Sequence, residues 1–127
     1  MINVNDLIGI KFKNCGRSKD GYDCYGLAIE VSKRFGHELT DVFYEKSCGE
    51  TFYQNAESVI KKMSSSLIES EERDAGNIVV FFDRKNRMTH IGVMLEDDRF
   101  IHCSEIYGVT VCKLDEYPKK WRIYKWQ

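Results

Sequence analysis

Apolar positions along this chain change period once, near residue 76. Before it, Leu27, Ala28, Val31 and Phe35 recur three and four residues apart, the spacing of one helical face. Asp23 stands just ahead of them as a side chain suited to cap a first turn, and Gly36 just after them as a residue suited to the left-handed position past a helix end. Glu30, Lys33 and Arg34 fall on the wetter side. The spacing predicts a helix that opens at residue 24. Phe52, Ala56, Val59, Ile60 and Met63 make a second stripe and predict a helix over 50–63, ended by Ser64-Ser65-Ser66. Residues 5–8 suit a short helical turn. Residues 9–21, punctuated by Gly9, Gly16 and Gly21, read as loop, as do 37–49 and the charged stretch 69–74.

After residue 76 the period is that of strands. Ile78 to Phe82 is a short continuous apolar run. Thr89, Ile91, Val93 and Leu95 alternate with His90, Gly92 and Met94; Phe100 to Cys103, Val109 to Cys112 and Trp121 to Trp126 follow. Trp121 and Trp126 are five residues apart and so belong to opposite faces. Helices first and strands afterwards, with short links, predict an α+β fold: N-terminal helices packed on an antiparallel β-sheet of about five strands.

The 127 residues suit one domain, 1–127, long enough to bury a core without disulfides. Net charge is −1 with both signs interspersed, which argues against a nucleic-acid binder and its basic face. There is no run of 18 apolar residues, so no membrane-spanning helix is expected. The segment from Met1 to Asp6 has neither a basic flank nor a long apolar core, and predicts a chain that is cytoplasmic as synthesised, or carried in a particle. Five cysteines at irregular spacing, with no CxxC pair, predict free thiols and no zinc site. No cofactor is called for. Cys15, Cys48, Cys103 and Cys112 read as small buried hydrophobes, with Cys103 pointing away from His102 by strand parity.

Cys24 differs from these four. It falls at the first turn of the predicted helix, where unpaired N–H groups and the positive end of the dipole favour thiolate over thiol. His90 and His102 lie on adjacent predicted strands. A cysteine at a helix start facing histidines on a sheet is the layout of a cysteine hydrolase or acyltransferase. Cooperation of the histidines depends on the turn between them. A three-residue loop, Glu96-Asp97-Asp98, sets Leu95 opposite Arg99 and Gly92 opposite His102, and puts both imidazoles on one face as diagonal neighbours roughly 7–8 Å apart at the backbone. A two-residue turn, Asp97-Asp98, points them to opposite faces. In the catalytic arrangement Cys24 attacks a carbonyl carbon, His90 manages the thiol proton, and His102 orients His90. Backbone N–H groups at the helix start stabilise the oxyanion. Asp23 is read as a cap whose charge opposes thiolate formation.

At these residues the sequence resembles the NlpC-type family of cysteine peptidases, a compact papain-like fold. Gly9-Ile10-Lys11-Phe12 leads through Gly16 to Asp23-Cys24-Tyr25-Gly26-Leu27. His90-Ile91-Gly92-Val93 and Phe100-Ile101-His102 follow in order, preceded by Gly76-Asn77-Ile78-Val79-Val80-Phe81-Phe82. The resemblance covers roughly 9–36 and 76–104. It implies Cys24, His90 and His102 as catalytic residues, with Phe12, Asp23, Tyr25 and Gly92 lining the oxyanion or substrate site. It further implies amide cleavage in peptidoglycan stem peptides. Phe12 departs from the family's usual tyrosine, whose hydroxyl sits near the nucleophile. Tyr25, where the family has serine, together with Gly16-Arg17-Ser18 ahead of Asp20-Gly21, resembles members associated with bacteriophage tails. Phage tail proteins are therefore expected partners beside the peptidoglycan peptide, with neither nucleic acid nor membrane. Two other functions stand beside this one: a structural adaptor of a tail tip that keeps the fold without catalysis, favoured by Phe12, and an acyltransferase or lipid hydrolase using the same Cys–His pair. His37, just past a helix end, is assigned no function.

Overall fold

The first apolar stripe forms helix α1 (Cys24–Arg34). The Asp23 carboxylate accepts from the Gly26 N–H at 2.6 Å, supplying one of the partners that a first helical turn lacks. At the other end the Gly36 N–H donates to the Lys33 carbonyl and the His37 N–H to the Ser32 carbonyl, with Gly36 at φ +88°. This is the paired closure that a left-handed glycine permits. Leu27, Ala28 and Val31 are buried. Each large apolar side chain so buried contributes roughly 1.5–3 kcal/mol, so packing rather than intrinsic propensity holds an 11-residue helix in place.

The computed structural model describes residues 2–41 and 56–127. Helix α2 (Ala56–Met63) ends where the serine run begins, and Ile60 and Met63 are buried. The first part of the helix expected over 50–63 lies outside the described residues.

Among the described residues, eight strands follow the chain: β1 (Arg17–Ser18), β2 (Gly21–Tyr22), β3 (Leu67–Ser70), β4 (Ile78–Phe82), β5 (Met88–Met94), β6 (Arg99–Ser104), β7 (Gly108–Lys113) and β8 (Lys120–Trp126). Six form one antiparallel sheet in the order β3-β8-β4-β5-β6-β7. The α+β class is as expected. The sixth strand is β3, part of which lies in the stretch read as a solvated loop. Of its four residues only Leu67 is buried, so it carries no period to read. Its pairing with β8, from Leu67↔Trp126 to Ser70↔Ile123, makes it a strand.

Residues 9–21, expected as loop, hold another departure. β1 pairs with β2, and Phe12 makes a parallel bridge to Tyr22. Strands of two residues are too short for a pattern. Cys15 is disulfide-bonded, against the expectation of a free buried thiol, because spacing along a chain says nothing of which sulfurs meet in space. Cys48 lies outside the described residues. Cys24, Cys103 and Cys112 are free thiols.

Strand parity sorts the sheet into two faces. Ile78, Val80, Ile91, Val93, Ile101 and Cys103 belong to the larger core with Leu27, Ala28 and Val31 of α1 and Ile60 and Met63 of α2. Val79, Phe81, Met94, Phe100 and Ile123 form a smaller cluster with Leu114, from the 3₁₀ turn Leu114–Glu116. The two tryptophans divide as expected. Trp126 packs on the larger core and stacks on His37 with ring centroids 4.4 Å apart, whereas Trp121 packs on the smaller cluster.

Candidate active site

The turn between β5 and β6 settles the orientation of the histidines. Leu95 N–H donates to the Arg99 carbonyl at 2.7 Å, Val93 pairs with Ile101, and Met94 pairs with Phe100. Glu96, Asp97 and Asp98 are therefore the loop, with Asp97 and Asp98 at φ 63° and 57°. Aspartate tolerates that left-handed region better than most side chains do. The closure has three residues, so His90 and His102 share a face. His90 Nε2 lies 2.7 Å from His102 Nδ1, and the rings are nearly perpendicular at 78°.

Among the described residues, the β5–β6 ladder is confined to those two residue pairs. Toward His90 and His102 it gives way to another segment of chain. The Cys103 thiol donates to the Tyr22 carbonyl at 3.2 Å, and the backbone of Ile91 hydrogen-bonds the Cys24 thiol. The peptide leading into α1 is thus held against both strands, with Cys24 beside the residue that follows His90. Gly26 lets the loop at Gly16 close on the start of α1: a Cβ there would lie 2.1 Å from the Gly16 carbonyl oxygen. Cys103 is fully buried and faces the larger core, as parity predicts.

Burial dominates the electrostatics. The Cys24 thiol is pushed up to about 12 by desolvation first and by the Asp23 charge second, against the pull of the Ile91 and Tyr25 backbones. Loss of water thus opposes the thiolate that a helix start favours. Desolvation lowers His90 to about 3, with His102 and Lys119 adding to the shift, and it lowers His102 to about 4. At neutral pH the free site holds a thiol and two neutral imidazoles.

The four expected lining residues separate. Gly92 lies beside His102: a Cβ on it would sit 3.4 Å from the His102 Cβ and 3.0 Å from the Phe100 ring. Phe12 is half-buried and packs on the larger core. Tyr25 is 0% exposed, its hydroxyl donating to the Thr40 carbonyl, so it anchors a loop and cannot line a substrate surface. Asp23 is 1% exposed and bound to Arg17 Nη1 at 2.8 Å as well as to Gly26, so it too is structural. Both residues flank Cys24 in sequence, but the helix turns their side chains into the core.

Thr110 and Tyr117, to which the sequence assigns no role, flank His102 together with Cys112, expected as a small buried hydrophobe. Thr110 Oγ1 is 3.3 Å and Cys112 Sγ 3.5 Å from His102 Nε2. Cys112 is half-buried against the smaller cluster, not an inert member of the main core. The register of β6 with β7, which sets His102 opposite Thr110, was the signal that could have found both. Tyr117 packs its ring on His102 at 5.3 Å and on Phe81 at 4.8 Å. It follows a 3₁₀ turn, where no periodicity points to it. Among the described residues, no group of three or more His, Cys, Asp or Glu could hold a metal ion. An open cavity of about 730 Å³ is lined by Val4, Leu95, Arg99 and Thr110 but by none of Cys24, His90 and His102.

A family model described as NlpC/P60 matches residues 9–126. A Haemophilus influenzae protein named "Probable endopeptidase NlpC homolog" is 30% identical over 113 residues, 88% of this chain and 51% of that protein. An Escherichia coli K12 protein named "Murein DD-endopeptidase MepS/Murein LD-carboxypeptidase" is 27% identical over 117 residues, 91% of this chain and 54% of that protein. The chain therefore spans about half the length of these curated relatives. Among solved structures, the NlpC/P60 domain of peptidoglycan hydrolase SagA matches with a TM-score of 0.59 at 15% identity, over 92% of this chain and 88% of that one, a likeness of fold.

Proposed function

The chain belongs to the NlpC/P60 family, and from that premise we propose that it hydrolyses amide bonds in the peptide stems of bacterial peptidoglycan. Cys24 is the nucleophile, His90 the base, and His102 the residue that orients His90. The observation that carries this reading is the 2.7 Å contact between His90 Nε2 and His102 Nδ1, on a strand whose next residue meets the thiol of a helix-start cysteine. The substrate class is supported by the names of the relatives, which are endopeptidases, one of them acting on murein.

His90 commits Nε2 to His102, which leaves Nδ1 for the thiol proton. Thiol and imidazole are neutral in the free site, so His90 acts as a general base during attack rather than as the partner of a standing thiolate. Cys24 Sγ bonds to the amide carbonyl carbon as its proton passes to His90. The Cys24 N–H, at the open start of α1, faces the developing oxyanion, while the Gly26 N–H is already taken by Asp23. The C–N bond then breaks, and His90 returns the proton to the leaving amine. Water attacks the thioester with His90 again as base, releasing the carboxylic acid and restoring the thiol.

Incubation of purified peptidoglycan with the protein and with Cys24→Ala tests this. Peptide release should fall on the order of 10³-fold or more in the variant; equal release overturns the proposal. Phe12 supports a second reading, a catalytically weak structural component of a phage tail tip, since it lacks the hydroxyl expected there. That reading predicts slow release by wild type and variant alike. The tail setting itself rests on the sequence pattern around Gly16 and Tyr25. Tail-protein genes on either side would support it, and a cell-envelope operon would count against it.

A further inference from the structure

We propose that Thr110 is a positioning residue that fixes the proton arrangement of the two histidines. This inference rests on the assignment of His90 as base. His90 can accept from Cys24 only if Nδ1 carries a lone pair, so its proton is on Nε2. That Nε2–H donates to His102 Nδ1, 2.7 Å away, which must then be an acceptor. The His102 proton is consequently on Nε2, where the facing atoms are Thr110 Oγ1 at 3.3 Å and Cys112 Sγ at 3.5 Å. Sulfur is a weak acceptor, and the hydroxyl is the closer atom.

The opposite arrangement is equally consistent with the distances between the rings, and it disables the base. If His102 Nε2 were bare, its proton would be on Nδ1 and would donate to His90 Nε2. The His90 proton would then sit on Nδ1, leaving no lone pair there for the thiol proton. The choice between the two arrangements is made at the far end of the chain, by whether Thr110 receives or gives a proton. His102 is 3% exposed, so an Nε2–H there has no water to turn to and needs a protein acceptor. Thr110 is half-exposed on the edge strand β7, so its own O–H can turn outward while its oxygen receives. With its O–H turned outward, the oxygen of Thr110 is the nearest acceptor for the His102 Nε2–H, and that arrangement keeps Nδ1 of His90 free. Tyr117 and Phe100, whose rings pack on His102 at 5.3 and 4.8 Å, hold the imidazole in the orientation this requires.

The test reads tautomers directly. The chain has three histidines, so long-range ¹H–¹⁵N spectra of labelled protein resolve each ring. Wild type should show Nε2–H on both His90 and His102 at neutral pH. Thr110→Val, nearly the same shape without the oxygen, should shift His102 toward Nδ1–H, and Thr110→Ser should restore the wild-type pattern. With peptidoglycan as substrate, Thr110→Val should lower kcat about tenfold with KM little changed, and Thr110→Ser should recover it. An Nδ1–H tautomer of His102 in wild type, or a Thr110→Val variant with unaltered tautomers, overturns the inference. The spectra need no substrate, so an inactive wild type with the expected tautomers sinks the peptidase reading alone.

Discussion

Neighbouring residues of β5 and β6 live in opposite surroundings. Ile91, Val93, Ile101 and Cys103 point toward α1 into a core of mostly aliphatic side chains. His90 and His102, one position along, meet Phe81, Phe100 and Tyr117 on the other face. The first face fixes where α1 lies and so where Cys24 stands. The second holds the groups that would move its proton. A slip of one residue in the β5–β6 register would exchange the two sets, so the stability of the first face and the chemistry of the second are secured by the same three-residue loop.

The sharpest break of this contrast is His90→Ala. It should lower peptide release on the order of 10²- to 10⁴-fold while the urea midpoint changes little, because only the chemical face is touched. A loss of folding equal to that of a core mutant would contradict the division. Ile101→Ala is the converse. It should cost about 2–5 kcal/mol in urea unfolding, with the folded fraction still cleaving substrate. Activity lost without loss of stability would show that the helix face takes part in catalysis.

Acid offers a milder separation. Burial lowers His102 from 6.5 to about 4, so the unfolded chain takes up a proton that the native site refuses. Stability from this group is full above pH 6.5 and is lost as pH falls toward 4, at about 1.4 kcal/mol per unit. Urea midpoints between pH 6.5 and 5, above the range of carboxylates, should slope accordingly. His102→Gln should flatten the slope, leaving the part due to His90. A smaller change is expected from Asp23→Asn, which keeps a capping oxygen but removes the charge that helps raise the Cys24 thiol. Alkylation of Cys24 at pH 8 should quicken roughly two- to tenfold. An unchanged rate would mean that desolvation alone sets the thiol.

Much of this was legible in the sequence because it follows from short-range rules. Helix α1 was marked by a stripe, a cap and a terminal glycine. The strands from β4 onward were marked by alternation. The resemblance brought Cys24, His90 and His102 together, and parity around Glu96-Asp97-Asp98 reduced their mutual orientation to two alternatives. Strand β3 and the β1–β2 hairpin escaped because their side chains carry no period, and pairing alone defines them. Tyr25 and Asp23 were misplaced as lining residues because sequence adjacency to Cys24 says nothing about which way a helix turns a side chain.

The order of apolar and polar positions determined the elements and their faces, since these depend on periods of two and 3.6 residues. Only the folded chain decided the protonation states and the company that His102 keeps. Those depend on how much water is excluded around each group and on which distant strands come alongside, and neither quantity is written in any local stretch of residues.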